Sequence, residues 1–381
     1  MNDDLRLHEH LIGKPGSRRQ INTPALVLDL DALDRNIAAM AQLAQQYGVS
    51  LRPHAKTHKS VDIARRQIEA GAVGICCTKL GEAEALAEGG ITNILLTSPV
   101  VTAPGLARLA SLAAKVPGLG VVIDHPDNAE ALGQAMKRAG ATLDAFIDID
   151  PGMHRTGVRT VDDALELAGA ITAQNALRYR GVQFYCGVHQ HIETYDERRQ
   201  AIRERTAYLQ TFLTALGQAG FAAEIVTGSG TGTHRIDLEI GTMTELQAGS
   251  YIFMDREYND CELTDGNSPP PETSLFIDTT VVSANGPGIA TVDAGMKAMA
   301  TDAGEPPIIA GAARGATYQF MGDEHGLILD PDEASTMQTG ARLSLAVPHC
   351  DPTVNLYDSY HVVRGDTLLH IWLVSARGRS R

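Results

Sequence analysis

The first 260 residues alternate short apolar runs with amphipathic helical segments at a nearly regular spacing. This alternation is typical of a parallel β-sheet whose strands are joined by crossover helices, so it predicts an α/β fold. A helix is predicted over Ala32–Tyr47, with Asp31 as its N-cap and Gly48 at its end. The predicted strands are Ala25–Leu30, Leu51–Ala55, Gly74–Cys77, Ile94–Thr97, Gly120–Asp124, Ala145–Asp150, Gly181–Tyr185, Glu224–Thr227 and Leu246–Phe253.

The length of this region favours a closed barrel over an open sheet. An (α/β)8 barrel needs about 250 residues, which matches the stretch from Leu51 to Phe253 with its flanks. The strand Ala25–Leu30 is then one too many and must belong elsewhere. An open nucleotide-binding sheet is the weaker alternative, because no glycine-rich dinucleotide motif follows the first strand.

The composition changes at Asn267–Pro271, where the sequence NSPPP predicts a linker because it cannot continue a helix or a central strand. The residues that follow alternate in the manner of β-strands and show no long helical pattern, so a second, mostly β domain is predicted. Its predicted strands are Ser274–Val282, Gly288–Asp293, Leu343–Val347, Tyr360–Val363 and Thr367–Val374.

The net charge of −14 argues against binding to nucleic acid or to an anionic membrane surface, since both need a basic surface. No apolar run approaches the ~20 residues of a membrane helix. The start, MNDDLRLHEH, lacks the features of a signal peptide, so a cytoplasmic location is expected. The five scattered cysteines predict reduced thiols and neither a disulfide framework nor a structural zinc site.

Polar clusters follow several predicted strands, where the catalytic rim of a barrel would lie. In RPHAKTHK, Lys56 follows a buried strand among other cations, an environment that would lower the pKa of its amine and favour a Schiff-base nucleophile. A basic surface loop is the alternative. In DIDPGMHRTG, Asp150 could be a cap and Arg155 its partner.

Two further clusters follow later strands. The small residues of Gly228–Thr233 would let backbone N–H groups converge on a phosphate, although a flexible turn has the same composition. Tyr185 to His191 places an aromatic ring and two imidazoles beyond a strand end, where a histidine could also be structural.

The predicted β domain contains the segment PHCDPTVNLYD, Pro348 to Asp358. On an extended segment residues two apart face the same side, so His349 and Asp351 would face together, with Cys350 turned away. An imidazole and a carboxylate suit a divalent ion whose remaining positions stay open for substrate oxygens and water.

Together these clusters resemble the fold-type III pyridoxal-phosphate enzymes, and within them the D-threonine aldolase and D-serine dehydratase group, over nearly the whole chain. The resemblance implies a barrel over 31–265 and a β domain formed by 1–30 and 266–381, which carries the metal site and contains the strand Ala25–Leu30. It also implies a homodimer. The segments on which it rests are RPHAKTHKS, GICCTKLGEAE, DIDPGMHRTGV, GSGTGT, TELQAGSYIFMD, VDAGMKA, GDEHG and PHCDPTVNLYD.

The resemblance implies roles for these residues around the cofactor, pyridoxal 5'-phosphate. Lys56 looks like the lysine that holds it covalently, and His191 like the histidine that takes a proton from the substrate β-hydroxyl. Gln247 stands where alanine racemases have an arginine facing the pyridine nitrogen. This neutral partner would leave that nitrogen unprotonated. The other implied contacts are Arg155 near the phenolic oxygen or ring, Tyr185 against the ring, and the phosphate-binding backbone of Gly230, Thr231, Gly232 and Thr233.

The pair His349 and Asp351 matches the metal ligands of D-threonine aldolases, whereas the dehydratases of the group carry His-x-Cys. The resemblance therefore implies a lyase that uses pyridoxal phosphate and a divalent metal, Mn²⁺ or else Mg²⁺ or Zn²⁺, to cleave D-β-hydroxy-α-amino acids such as D-threonine to glycine and an aldehyde. The alternatives are a dehydratase of D-serine or D-threo-3-hydroxyaspartate, a 3-hydroxyaspartate aldolase, and a non-catalytic pyridoxal-phosphate carrier, which would lack the β domain.

Overall fold

A computed structural model describes residues 3–266, 268–331 and 337–381. The α-helices are α1 (Asp3–His8), α2 (Leu30–Tyr47), α3 (Val61–Glu69), α4 (Leu80–Glu88), α5 (Ala103–Ala113), α6 (Pro126–Ala139), α7 (Val161–Thr172), α8 (Tyr195–Gln218), α9 (His234–Ile240), α10 (Arg256–Asn259) and α11 (Cys350–Val354). Short 3₁₀ helices cover Glu9–Leu11, Ser17–Gln20, Gly187–His189 and Ser250–Ile252.

The strands fall into two sheets. The first contains β2 (Ser50–Leu51), β3 (Ile75–Cys77), β4 (Ile94–Leu96), β5 (Gly120–Ile123), β6 (Leu143–Asp148), β7 (Leu177–Phe184), β8 (Ile225–Gly228) and β9 (Glu245–Leu246). The second contains β1 (Ala25–Asp29), β10 (Leu275–Gly286), β11 (Ile289–Val292), β12 (Ile308–Ala310), β13 (Thr317–Phe320), β14 (Gly326–Leu329), β15 (Arg342–Ala346), β16 (Ser359–Arg364) and β17 (Thr367–Leu373).

The first sheet is parallel and has the order β2-β9-β8-β7-β6-β5-β4-β3. Its two end strands meet through a parallel bridge between His54 and Cys76. On either side of this bridge, the N–H of Ala55 donates to the Cys76 carbonyl and the N–H of Cys76 to the Pro53 carbonyl, both at 2.8 Å. The bridge closes the sheet into the predicted (α/β)8 barrel, with helices α3 to α9 between its strands.

Successive side chains of a β-strand point to opposite faces of the sheet, so alternate strand residues belong to two separate parts of the barrel core. Residues such as Val121 and Ile123 belong to the large core between strands and helices, whereas Val122 lies in a separate buried cluster. That cluster contains Cys76, Leu95, Val122 and Phe146, one residue from each of four neighbouring strands. The barrel interior is therefore filled, and its carboxyl-terminal rim is where a site can form.

The second sheet forms the mostly β part of the fold. Its main path is β13-β14-β11-β10-β1-β16-β17, and β15 joins β10 to β12. The N-terminal strand β1 lies between β10, to which it runs antiparallel, and β16, to which it runs parallel. The extra strand Ala25–Leu30 thus pairs with the C-terminal part of the chain. The domain limits 31–265 and 1–30 plus 266–381 stay a prediction.

Some predicted boundaries were wrong. The strand over Leu246–Phe253 ends at Leu246, and a 3₁₀ helix over Ser250–Ile252 turns the chain back at the rim. The N-cap of α2 is Asp29, whose Oδ1 accepts the N–H of Ala32, whereas Asp31 pairs with Arg364. Strands β12, β13 and β14 were not predicted. Asn267, the first residue of the predicted linker, lies outside the described residues.

No helix in the described ranges is both long enough and apolar enough to cross a membrane. All five cysteines are free thiols, as predicted.

Candidate active site

A cavity of about 260 Å³ lies at the carboxyl-terminal rim of the barrel. Six of the predicted cofactor residues line it, and so do several residues that the sequence did not single out. The predicted residues are Lys56, Arg155, Tyr185, Gly230, Thr231 and Gln247. The others are His54, Thr57, Thr78, Lys79, Thr97, Ser98, Gln183, Gly249, Ser250 and Tyr258.

Lys56 forms an ion pair with Asp351, in which Lys56 Nζ lies 3.1 Å from Asp351 Oδ2. The Asp351 carboxylate raises the pKa of Lys56 above its ordinary value, despite the opposing effect of burial. We predicted a lowered pKa from the cationic neighbours in the sequence, and that prediction was wrong. Its cause was invisible in the local sequence, because the carboxylate comes from a segment almost 300 residues away.

The loop that carries Lys56 is held by His54. The Lys56 N–H donates to His54 Nδ1 at 3.3 Å, and His54 Nε2 lies 3.0 Å from Thr97 Oγ1. Burial, together with the nearby charge of Lys56, lowers the pKa of His54 to about 3. A neutral ring whose Nδ1 accepts a hydrogen bond must carry its proton on Nε2, so it donates to Thr97. His54 therefore holds the backbone of Lys56, from which its side chain enters the cavity.

The predicted phosphate loop divides into two parts. Gly230 and Thr231 line the cavity, whereas Gly232 and Thr233 lie behind it. The N–H groups of Thr231 and Gly249 donate to no group in the described ranges. Ser250 begins a 3₁₀ helix, and the first N–H groups of a helix have no acceptor within it. These N–H groups suit an anion such as a phosphate, whereas the N–H groups of Gly232 and Thr233 donate to Gln190 Oε1 and to the Gly230 carbonyl. Phosphate binding by the backbone of Gly230 to Thr233 stays a prediction.

Arg155 stands at the cavity without an ion pair among the described residues, and its guanidinium carbon is 5.9 Å from the centre of the Tyr185 ring. The suggestion that Arg155 pairs with Asp150 was wrong. Asp150 Oδ2 instead lies 3.0 Å from His154 Nδ1 and 3.3 Å from Arg159 Nε. Arg155 thus offers its charge to an anionic ligand of the cavity.

Gln247 is oriented by a buried chain of hydrogen bonds. The Asp148 carboxylate can only accept, so Gln183 donates Nε2 to Asp148 Oδ1 at 2.9 Å and presents Oε1 to Gln247. Gln247 Nε2 donates to Gln183 Oε1 at 3.2 Å and to Thr227 Oγ1 at 2.9 Å. Gln247 Oε1 is therefore the atom left for a ligand, so Gln247 offers an acceptor to the cavity.

His191 does not line the cavity itself. Its ring is 4.5 Å from the ring of Tyr258, which does line it. His191 is an exposed residue, but partial desolvation of its imidazole lowers its pKa, so the ring is neutral near pH 7 and able to accept a proton. Tyr258 was not predicted, because the surrounding sequence, DREYND, matches no catalytic pattern.

The predicted metal segment is helical rather than extended. His349 is the N-cap of α11 and Asp351 lies in its first turn, so the reasoning from an extended strand was wrong. Against the opposing effect of burial, the charge of Lys56 and then that of His349 lower the pKa of Asp351, so the imidazole and the carboxylate interact electrostatically. A short helix after a strand escaped notice because its sequence, CDPTV, contains a proline at its third position.

His349 Nδ1 lies 2.8 Å from Asp302 Oδ2 and 3.6 Å from Glu257 Oε2. A carboxylate on one ring nitrogen of a histidine orients the other nitrogen toward a metal, so Nε2 of His349 is available as a ligand. With the Asp351 carboxylate, this donor set fits a divalent ion. Asp302 and Glu257 were not predicted, because they lie about 50 and 90 residues before His349.

A second group with metal-binding side chains, Asp4, His8 and His361, lies in the β-sheet part of the fold. Its ligand atoms lie within 4.8 Å of one another. The Asn22 N–H donates to His8 Nε2 at 3.1 Å, which places the proton of a neutral His8 on Nδ1, the atom that faces His361 Nε2 at 2.9 Å. That proton prevents Nδ1 from binding a metal. The closeness of these side chains is therefore explained by a hydrogen-bonded pair of histidines.

Comparison with known proteins identifies the family of the chain. Residues 28–257 match the alanine racemase N-terminal domain, and residues 274–363 match a serine dehydratase domain. The chain is 41% identical to a D-threonine aldolase of an Arthrobacter species, over 97% of this chain and 96% of the relative. It is 38% identical to a 3-hydroxy-D-aspartate aldolase of Paracoccus denitrificans, over 94% of this chain and 93% of the relative.

The crystal structure of D-threonine aldolase from Filomicrobium marinum superposes with a TM-score of 0.91 at 38% identity, and covers 95% of this chain and 97% of that one. The similarity therefore extends over both the barrel and the β-sheet part. The chain belongs to the alanine-racemase-like, fold-type III family, in the group that contains the D-threonine and 3-hydroxy-D-aspartate aldolases, and it is a lyase.

Proposed function

We propose that this protein is a pyridoxal-phosphate- and divalent-metal-dependent aldolase that cleaves the Cα–Cβ bond of D-configured β-hydroxy-α-amino acids, such as D-threonine, to glycine and an aldehyde. The observation that supports it most is the 3.1 Å contact between Lys56 Nζ and Asp351 Oδ2. This contact places the lysine expected to hold the cofactor beside a carboxylate expected to hold the metal. One site then serves both the substrate amine and the substrate β-hydroxyl.

Pyridoxal phosphate, when bound, supplies an electrophilic carbon for amines and a ring that takes up the electron pair of a broken bond. Around it the chain supplies the amine of Lys56 and the charge of Arg155. The N–H groups of Thr231 and Gly249 hold a phosphate, and Gln247 Oε1 offers an acceptor. The amine, the guanidinium and the N–H groups fit the polar parts of the cofactor, whereas the acceptor Gln247 Oε1 would fit a protonated ring nitrogen rather than the unprotonated one expected from the sequence.

His349 Nε2 and Asp351 would hold a divalent ion, which would supply positive charge for hydroxyl and carboxylate oxygens. We propose Mn²⁺ as this ion, with Mg²⁺ and Zn²⁺ as the alternatives. His191 accepts the proton of the β-hydroxyl directly or through water, since its lowered pKa keeps the ring neutral. Tyr258 supports the His191 ring at 4.5 Å. General-base help of this kind is worth about 10²–10⁴ in rate.

A 3-hydroxyaspartate aldolase is the second candidate, and one observation favours it. Lys79 lines the cavity and forms no ion pair with any described residue. A free ammonium group would suit the second carboxylate of such a substrate. A dehydratase of D-serine or D-threo-3-hydroxyaspartate is less favoured, since Asp351 stands where those enzymes carry cysteine. We further propose a cytoplasmic homodimer that binds a small amino acid and neither nucleic acid nor membrane.

Product analysis over D- and L-threonine, D-serine and D-threo-3-hydroxyaspartate tests this proposal. We expect glycine and acetaldehyde from D-threonine, and no reaction of L-threonine. Glycine and glyoxylate formed much faster from 3-hydroxyaspartate would select the second candidate. Main products of 2-oxobutanoate and ammonia from D-threonine would reject the aldolase and identify a dehydratase.

A further inference from the structure

Arg198, in the first turn of α8, is a fully buried arginine with 0% of its surface exposed. Its side chain donates three hydrogen bonds, all to backbone carbonyls. Nε donates to Gly232 at 2.8 Å, Nη1 to Ile192, and Nη2 to Glu262. A buried guanidinium is costly, so a completely enclosed side chain that donates three of its five N–H groups to backbone carbonyls indicates a specific purpose.

The three carbonyls belong to three segments that surround the candidate site. Gly232 directly follows the cavity-lining residues of the phosphate loop, and Ile192 directly follows His191. Glu262 lies just after α10, which carries Tyr258. The planar guanidinium, with donors in several directions, is the only side chain that can join three carbonyls in this way.

Gln190 strengthens the same connection from the other side of the phosphate loop. Its Oε1 accepts the Gly232 N–H at 2.9 Å, and its Nε2 donates to Thr233 Oγ1 at 3.2 Å. A Cβ at Gly232 would lie 2.0 Å from the Gln190 carbonyl oxygen, so the two loops are in direct backbone contact there. The phosphate loop and the His191 loop therefore behave as one unit.

Arg198 has no carboxylate partner among the ion pairs of the described residues. Burial lowers the pKa of its guanidinium, and its three side-chain hydrogen bonds all go to uncharged carbonyls. The backbone contact at Gly232 lies next to Thr231, whose N–H group has no acceptor in the described ranges. A dianionic phosphate at that N–H would add the missing negative charge close to the guanidinium.

We propose that Arg198 is a positioning residue that sets the shape of the phosphate loop and ties it to the loop of His191, so that the phosphate group of the cofactor and the base are placed together. This inference rests on the proposed function, because it takes pyridoxal phosphate as the ligand. Arg198 acts through the loop backbone and does not itself line the cavity.

The test compares two ligands that differ only in the phosphate. Apoprotein of the full-length wild type, of Arg198→Lys and of Arg203→Lys is titrated with pyridoxal 5'-phosphate and with pyridoxal, and binding is followed by absorbance. Arg203 lies on the exposed side of the same helix and serves as the matched control. Lysine keeps the charge but cannot reach three carbonyls. For Arg198→Lys we expect about a tenfold or greater loss of affinity for pyridoxal phosphate, with pyridoxal affinity unchanged.

An equal effect on both ligands in a folded Arg198→Lys variant would overturn the inference, whether neither affinity falls or both fall by the same factor, since the second result indicates a general structural role. Failure of the wild type to bind pyridoxal phosphate would instead overturn the proposed function on which the inference rests.

If Arg198→Lys does not fold, amide hydrogen exchange of the wild-type protein tests the inference instead. Pyridoxal phosphate should protect the amides of 190–193 and 261–263 more than pyridoxal does, together with those of 229–234. Extra protection confined to 229–234 would show that the loops are not coupled.

Discussion

Lys56 Nζ lies 3.1 Å from Asp351 Oδ2, although Lys56 follows the first barrel strand and Asp351 belongs to a helix between two strands of the second sheet. The candidate site is therefore shared between the two sheets. Two features join them locally, since Tyr360 of β16 donates its hydroxyl to the His58 carbonyl and Ala376 donates its N–H to the Lys59 carbonyl. The position of Asp351 relative to Lys56 thus depends on the packing between β16 and the Lys56 loop.

Replacement of Lys56 tests the cofactor attachment. Lys56→Ala should abolish the visible absorption of the bound cofactor and its trapping by borohydride, because it removes the amine expected to hold the cofactor covalently. The protein should remain folded, since a half-exposed rim lysine contributes little to the core. The absorption spectrum and a thermal melt measure the two effects. Retention of the band, with borohydride labelling at another lysine, would contradict the assignment.

Lys59 is the matched control for Lys56, because it lies three residues away but forms a buried ion pair. Its Nζ lies 2.5 Å from Glu82 Oε1, and both side chains are less than 10% exposed. Lys59→Met should keep the cofactor band and lower the free energy of unfolding by about 3–5 kcal/mol, since the buried Glu82 carboxylate loses its cationic partner and keeps only the hydrogen bonds from the N–H groups of Thr78 and Lys79. Urea unfolding measures this loss. A variant of unchanged stability that has lost the band would exchange the roles of Lys56 and Lys59.

The metal assignment is tested by Asp351→Asn, with Asp358→Asn as control. Asp358 lies on the same segment but is exposed and pairs with Arg377 at the surface. Electron paramagnetic resonance of added Mn²⁺ should show at least a tenfold weaker binding for Asp351→Asn, because a carboxylate ligand is lost, and unchanged binding for the control. Chelation should abolish turnover of the wild type, and Mn²⁺ should restore it. Full activity of chelated Asp351→Asn would show that Asp351 is structural.

The sequence predicted the barrel because its signal is local and repeated, with apolar strands and amphipathic helices at regular spacing. Lys56, Arg155 and Tyr185 could be found for the same reason, since each follows a barrel strand. The partners Asp302, Glu257 and Tyr258 lie on segments without such a pattern and reach the site only through tertiary packing. The raised pKa of Lys56 was missed for this reason as well, because its cause lies in a distant segment.

The buried Asp148 beneath the cavity should make stability depend on pH. Burial raises the pKa of Asp148 from 3.8 to about 6, so the folded protein favours the protonated carboxyl. The resulting stability is fully present below about pH 4 and is lost as pH rises through about 6. Asp148→Asn stays neutral, so the stability of the wild type minus that of Asp148→Asn should fall by on the order of 3 kcal/mol between pH 4 and pH 7.

Urea unfolding of the apoprotein at several pH values measures this difference. Asp162→Asn, at an exposed position in the first turn of α7, is the control and should show no such trend. A difference between wild type and Asp148→Asn that does not change with pH would mean that Asp148 is ionised in the folded protein throughout this range.

His191 separates the aldolase from a dehydratase, because the two reactions need a base at different protons. Cleavage of Cα–Cβ requires removal of the hydroxyl proton, so that the oxygen becomes a carbonyl, whereas loss of the β-hydroxyl requires removal of the α-proton. His191→Ala should therefore lower kcat for D-threonine cleavage by about 10²–10⁴ and leave cofactor binding unchanged. His189→Ala is the control, since His189 lies in the same loop and makes no ring contact with Tyr258 among the described residues.

The pH profile gives an independent measure. A base must be neutral to act, so the wild-type rate should fall only as the pH drops below the pKa of His191, which burial sets below the ordinary histidine value of 6.5. In His191→Ala this acid limb should disappear from the residual rate. Unchanged turnover of D-threonine in His191→Ala, with the acid limb intact, would remove His191 from the mechanism, and 2-oxobutanoate as the main product would assign the protein to the dehydratases.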